Sequence, residues 1–248
     1  MSIDPLAEKY PYNGVYNFSE NKVIAFRELE GLEAWDIKNE WDEHYIEKFR
    51  KEIPNIIKNY EEQDKRFTCE DLAISSIIDF ASENKLPVTF INESGTYDAS
   101  SKNYDNVDDY KHDVLKTTAA VDLLNNTTEV KKSELLAGDI ILHKNEKGRI
   151  HHTQVVTFSN NNITLIKQGN FDWGPIRNSS DPDSWGGRRY IGAKIQTGMY
   201  INKNGDYVRN GNKTKGLLFS NITVGRRWDY SFFNIRKKMD DLLNKQTQ

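Results

Sequence analysis

Apolar and polar positions along the chain follow two periods, and the change from one to the other divides the molecule. Between Asp36 and Tyr60, Trp41, Tyr45, Phe49, Ile53, Ile56 and Ile57 recur at helical spacing, with Pro54 expected to kink or restart the helix. Leu72, Ala73, Ile77, Phe80 and Ala81 form a second stripe, which predicts a helix from Cys69 to about Asn84 with Pro87 just beyond. A third helix is expected over His112 to Asn125, carried by Val114, Leu115, Ala119, Val121 and Leu123. The period then falls to two. Runs over Gly138–Leu142, His151–Phe158 and Ile163–Asn170 read as strands, the last two joined at Asn160-Asn161-Asn162 as an antiparallel hairpin. Val88–Ile91 and Leu217–Phe219 read as short strands, and Met199-Tyr200-Ile201 with Tyr207-Val208 flank Asn204-Gly205 as a second hairpin. Trp228 to Asn244 has the pattern of an amphipathic helix. Asn92–Asp109 and Gly169–Arg189 carry turn-forming and polar residues and read as long loops. Helices followed by an antiparallel sheet make an α+β fold.

Composition narrows the class. A 37 % hydrophobic share supports a packed core, and no apolar run approaches the ~20 residues that cross a bilayer. A formal charge of −3 argues against a duplex-binding protein, whose affinity rests on phosphate neutralisation, so no nucleic-acid partner is expected. A single cysteine excludes an internal disulfide and a cysteine-rich zinc site. With no phosphate-cradling loop and no dinucleotide fingerprint, no cofactor is expected.

Candidate chemistry gathers at that cysteine. Cys69 follows Thr68, a good N-cap, at the start of the second helix, where the macrodipole favours a thiolate. Glu70 and Asp71 beside it oppose ionisation. A lone cysteine also fits a buried core position, where it behaves as a small hydrophobe. In the predicted hairpin, His152 opens one strand while Gln168 and Asn170 close the next, so the two ends lie side by side. Facing the helix, they would complete a Cys–His–polar constellation: nucleophile, base and orienting group. Alternation sends His151 and His152 to opposite faces. The pair with Asp139 or Asp172 is an alternative metal site, though no zinc-motif spacing is present.

This order of a cysteine at a helix start, Gly138-Asp139 at a strand entry, His152 and then Gln168-x-Asn170 resembles the papain-like NlpC/P60 and CHAP cysteine hydrolases. Gln168 stands where the CHAP pattern has Glu, and Ala137 where these families have proline before Gly-Asp. The resemblance spans roughly residues 64 to 172 and implies a papain-like α+β fold, with Cys69 as nucleophile, His152 as base and acid, and Gln168 or Asn170 orienting the imidazole. Gln63, six residues before Cys69 as in papain, would join the oxyanion hole. Trp173 and Trp185, among arginines in the predicted loop, would line a substrate groove.

Ile3-Asp4-Pro5-Leu6-Ala7-Glu8-Lys9-Tyr10, Phe18-Ser19-Glu20-Asn21-Lys22-Val23-Ile24 and Leu29-Glu30-Gly31-Leu32-Glu33 resemble the end of the Rhs repeat-associated core, after which that family carries a variable toxin domain. Residues 1–35 are therefore expected to be a core remnant and 36–248 a toxin domain. The combined resemblance implies a secreted antibacterial effector delivered into the periplasm or cytoplasm of a target cell. Its substrate would be peptidoglycan amide bonds, with a protease, deamidase, transglutaminase or acyl hydrolase acting on an intracellular target as the alternative, and its partner a cognate immunity protein. A metal-dependent nuclease and a non-catalytic binding module remain the alternatives.

Overall fold

The computed structural model describes residues 33–101, 103–176, 184–185, 188–201, 206–209, 212–214 and 223–236, with side chains described for all of these except 171–191, 206–209 and 212–214. The segments that resemble the Rhs core (apart from Glu33), the strand expected at Leu217–Phe219 and the C-terminal helix beyond residue 236 lie outside the described residues.

Helix α1 (Glu43–Glu62) buries Phe49, Ile53, Ile57 and Tyr60 on one face, and Asp42 caps it by accepting from the Tyr45 amide. It runs through Pro54 without restarting. Proline costs roughly 3 kcal/mol inside a helix, less than the burial of several large side chains on one face returns. Ahead of α1, Trp41 is buried, and Ala34 and Trp35 already belong to the core. The Trp35 and Trp41 indoles donate to the Leu86 and Pro87 carbonyls, at 2.9 and 2.7 Å.

The short strand β1 (Arg66–Phe67) leads into α2 (Cys69–Glu83). A single apolar stripe is predicted for α2, but its buried set also includes Ile74, Ser75, Ser76 and Ile78. It is enclosed on nearly all sides. Strand β2 (Thr89–Asn92) stands where a short strand is predicted and pairs with β3 (Gly95–Asp98), which lies in the predicted loop, because Asn92 closes the turn by accepting from the amides of Ser94 and Gly95. Helix α3 (Val107–Thr117), capped by Asn106, starts earlier than its apolar stripe and ends before it. Its remainder is a 3-10 turn at Asp122–Leu124.

The strands that follow are β4 (Thr127–Val130), β5 (Ile140–Lys144), β6 (Ile150–Ser159), β7 (Ile163–Gln168), β8 (Phe171–Ile176), β9 (Ser184–Trp185), β10 (Arg188–Lys194), β11 (Gln196–Ile201), β12 (Asp206–Arg209), β13 (Asn212–Thr214) and β14 (Thr223–Trp228). Eight of them form one antiparallel sheet in the order β13-β12-β11-β7-β6-β5-β14-β4. A second sheet runs β1-β10-β8, with β9 on β10. Among the described residues, the predicted loop over Gly169–Arg189 is thus largely strand, recruited by pairing that no local pattern announces. Trp228 ends β14, and helix resumes over 230–236. The fold is α+β. Among the described residues no helix is long and apolar enough to cross a membrane.

The two faces of β6 are distinct. Val155, with Ile140, Leu142 and Trp228, joins the core shared with α1 and α2. Val156, with Ile141, Ile166 and Tyr200, lies in a smaller cluster on the other face. Alternation therefore sets Thr153 toward α2, and Gln154 and His152 away from it.

Candidate functional site

Cys69 owes its position to the backbone before it. Arg66 and Phe67 pair with Lys194 and Ala193 of β10. The Asn170 amide donates to the Phe67 carbonyl at 3.1 Å, and the Ala193 amide donates to that of Asn170 at 2.8 Å. Phe67 and Thr68 thread a slot walled by Gly169 and Gly192. A Cβ on Gly169 would overlap the carbonyl oxygens of Phe67 and Thr68, and one on Gly192 would overlap the Phe67 backbone. Thr68 then caps α2, its hydroxyl accepting from the Asp71 amide at 3.4 Å, and Cys69 is the first helical residue.

The thiol is 8 % exposed. Its Sγ donates to Glu70 Oε2 at 2.8 Å, and the Thr153 backbone amide bonds to it from β6. Burial pushes the thiol well above its ordinary pKa, and the Glu70 carboxylate adds to the shift by its charge and its hydrogen bond. The expected depression by the macrodipole is overturned, because desolvation and an adjacent anion outweigh a helix-end field worth roughly 1 kcal/mol. Asp71 is likewise pushed up, to about 6, by burial and then by the charge of Glu70, against hydrogen bonds from Thr68. Thr68, Glu70 and Asp71 line a cleft of ≈ 490 Å³ with His112, Lys116 and Gly192.

His152 and Gln168 meet as their strand-end positions require. The His152 Nε2 lies 3.0 Å from Gln168 Oε1. They do so on the sheet face that carries Gln154 and Tyr200, not on the face covered by α2, so the expectation that both face the helix is corrected by alternation. The Tyr200 hydroxyl donates to Gln154 Oε1 at 2.6 Å, and Gln154 Nε2 donates to Gln168 Oε1 at 2.6 Å. Gln168 Nε2 and Asn170 Nδ2 both donate to Gln196 Oε1, at 3.3 and 2.8 Å. With Gln168 Oε1 facing two donors, the His152 bond is Nε2–H to oxygen. A neutral imidazole then carries its lone pair on Nδ1.

His143 is the cross-strand neighbour of His152, with ring centroids 5.6 Å apart. Its Nε2 contacts the Tyr200 hydroxyl at 3.3 Å. Since that hydroxyl gives its single proton to Gln154, His143 is the donor. Burial lowers His143 to about 4, with the charges of His152 and His151 adding to the effect and a hydrogen bond with Gln154 opposing it. His143 stays neutral beside His152 at neutral pH.

The other predicted residues disperse. Gln63 is exposed at the C-cap of α1, where it lines a pocket with Tyr60 and Asp79 and shares no described contact with Cys69. Trp173 and Trp185 pair in register with Tyr190 and Arg188, but their side chains lie outside the described residues, as does that of Asp172. His151 is exposed. Asp139 is spent on a bidentate pair with Arg227 at 2.8 and 2.7 Å and on the Leu136 amide, anchoring the entry to β5. Among the described residues, no group of three His, Cys, Asp or Glu side chains is placed to hold a metal ion.

Sequence reasoning passed over Gln154, Tyr200, Gln196 and Glu70 as a thiol partner. Gln154 had a usable signal, since position i+2 from His152 shares its face. Compared with models of protein families, with curated proteins and with solved structures, the chain matches none.

Proposed function

We propose that this protein is a papain-like cysteine hydrolase of the NlpC/P60 or CHAP kind, serving as the C-terminal toxin of an Rhs-type antibacterial effector. The observation that carries the reading is the bond between His152 Nε2 and Gln168 Oε1 at the strand end whose next amide, Thr153 N–H, reaches the Cys69 thiol. A cysteine at a helix start, a histidine one residue from the thiol's amide partner and an amide orienting that histidine are the parts acyl transfer needs.

In this reaction the His152 imidazole must leave its resting place on the face away from α2 for Nδ1 to take the thiol proton as Sγ attacks a carbonyl carbon. The resulting imidazolium protonates the leaving amine. Water, deprotonated by the same nitrogen, then hydrolyses the thioester. Because burial and Glu70 hold the resting thiol protonated, the proton moves in concert with attack and not beforehand. Peptidoglycan amide bonds are the proposed substrate, with an intracellular protein amide as the alternative, and a cognate immunity protein covers the cleft in the producing cell.

The test is growth of bacteria expressing the chain in the cytoplasm or, behind a signal peptide, in the periplasm, beside Cys69→Ala and His152→Ala. Killing confined to the periplasm and lost in both variants is the expected outcome. Cytoplasmic killing lost in both moves the substrate to the cytoplasm, and killing retained by both ends the cysteine mechanism.

The thiol's burial and its bond to Glu70 favour one other reading, a binding module with Cys69 as a core residue. That reading requires the folded protein to resist alkylation and Cys69→Ala to leave function intact.

A further inference from the structure

The chain of amides behind His152 has a direction, and that direction selects a tautomer. Gln168 Oε1 receives Nε2 of Gln154 at 2.6 Å and faces His152 Nε2 at 3.0 Å. Gln154 is turned that way because its own oxygen accepts the Tyr200 hydroxyl at 2.6 Å. At the far end Gln196 Oε1 accepts a hydrogen bond from Gln168 Nε2 and another from Asn170 Nδ2. Gln154, Gln168 and Tyr200 are all buried, so water does not satisfy a reversed amide at low cost. If the chain ran the other way, Gln168 would present its NH2 to His152, and Nε2 would have to accept. The proton of a neutral His152 would then sit on Nδ1, the nitrogen required as base.

We propose that Gln154 is a positioning residue for acyl transfer: backed by Tyr200, it holds the Gln168 carbonyl toward His152 and keeps the imidazole in its Nε2–H form. The inference rests on the reading of this protein as a Cys69–His152 hydrolase. Gln154 touches neither thiol nor substrate and acts through Gln168. His143 supports the same polarity by donating to Tyr200, which leaves the Tyr200 proton for Gln154.

The experiment compares the full chain with Gln154→Glu, which keeps the shape but removes the donor, and with Tyr200→Phe, which removes the hydroxyl that orients Gln154. The His152 tautomer is read from long-range ¹H–¹⁵N correlations of its ring, and toxicity from the growth assay. A carboxylate at 154 accepts only, so Gln168 must turn its NH2 inward. The expected result is Nε2–H in the parent, a shift to Nδ1–H in Gln154→Glu with loss of killing, and a mixture in Tyr200→Phe with partial loss.

An unchanged tautomer in both variants overturns the inference, as does a shifted tautomer with undiminished killing. If Gln154→Glu fails to fold, Tyr200→Phe decides alone by the same two readouts. Loss of killing in Cys69→Ala and His152→Ala alongside a silent Gln154→Glu removes only the role of Gln154. Killing retained in Cys69→Ala and His152→Ala removes the hydrolase reading itself.

Discussion

Strand β6 meets two different environments within four residues. Toward α2, Thr153 and Val155 enter an apolar core in which the Thr153 hydroxyl, fully buried, has no hydrogen-bond partner among the described residues. The thiol at the edge of that core is desolvated and bonded to a carboxylate, and its proton is held. On the opposite face, buried Gln154 and half-buried His152 enter a region wired through Tyr200, Gln168 and Gln196. Burial without matched partners pushes a titratable group to its neutral form, whereas burial with them fixes which way each group points. The helix side holds the thiol in its protonated form, and the far side fixes the direction of the His152 imidazole.

The largest expected effect comes from the slot that delivers Cys69 to the strand. Gly169→Ala sets a Cβ against backbone carbonyls that have no rotamer to yield. A stability loss of roughly 3 kcal/mol or more is expected in urea denaturation, with faster thiol alkylation. A parental midpoint would mean that Phe67 and Thr68 are not clamped.

Acid titration separates the faces by sign. His143 falls from 6.5 to about 4 on folding, so the unfolded chain binds the extra proton and stability rises with pH across that window. Asp71 rises from 3.8 to about 6, so the folded state binds the extra proton and stability falls as pH rises through it. The two contributions, roughly 3 kcal/mol each and opposite in direction, offset each other between about pH 4 and 6. Set against the parent, His143→Gln should gain stability on acidification from pH 6.5 to 4. Asp71→Asn should lose stability over the same range. Denaturation midpoints across that range check both, and two variants drifting in the same direction would break the comparison.

Gln168→Leu leaves the Gln154 amide and His152 Nε2 facing an apolar group, an expected cost of about 1–3 kcal/mol together with loss of the proposed toxicity. An equally stable, toxic variant would mean that the network orients nothing. Smallest in stability is Glu70→Gln, which keeps a polar partner for Sγ but removes the charge. Iodoacetamide should then alkylate Cys69 roughly ten-fold faster at mildly alkaline pH, with the urea midpoint nearly unchanged. An unaltered rate would assign the thiol's protonation to burial alone.

Local pattern carried much of this fold. The stripe ending at Tyr60, the Thr68 cap and the β6–β7 hairpin rest on interactions within a few residues, and each stands close to where periodicity puts it. The hairpin also brought His152 to Gln168, since register in a short antiparallel pair follows from its turn. Segments that depend on distant partners were illegible. β14 lies between β5 and β4 although it follows both in sequence, and the strands at 171–194 exist because Phe67 and Ala193 pair across the chain. Asp139 resembled a motif residue, yet its work is to hold Arg227 on another strand.

The sequence by itself determined where α2 starts, which residues open and close the central hairpin, and that a lone cysteine would stand at a helix N-terminus. Capping and period-two alternation are local, so they can be read before folding. Only the tertiary structure decided that the thiol is held protonated, that His152 and Gln168 turn away from α2, and that Tyr200 and Gln196 bracket the amide chain behind them. Desolvation and hydrogen-bond direction depend on everything packed around a group, and most of those neighbours are far away along the chain.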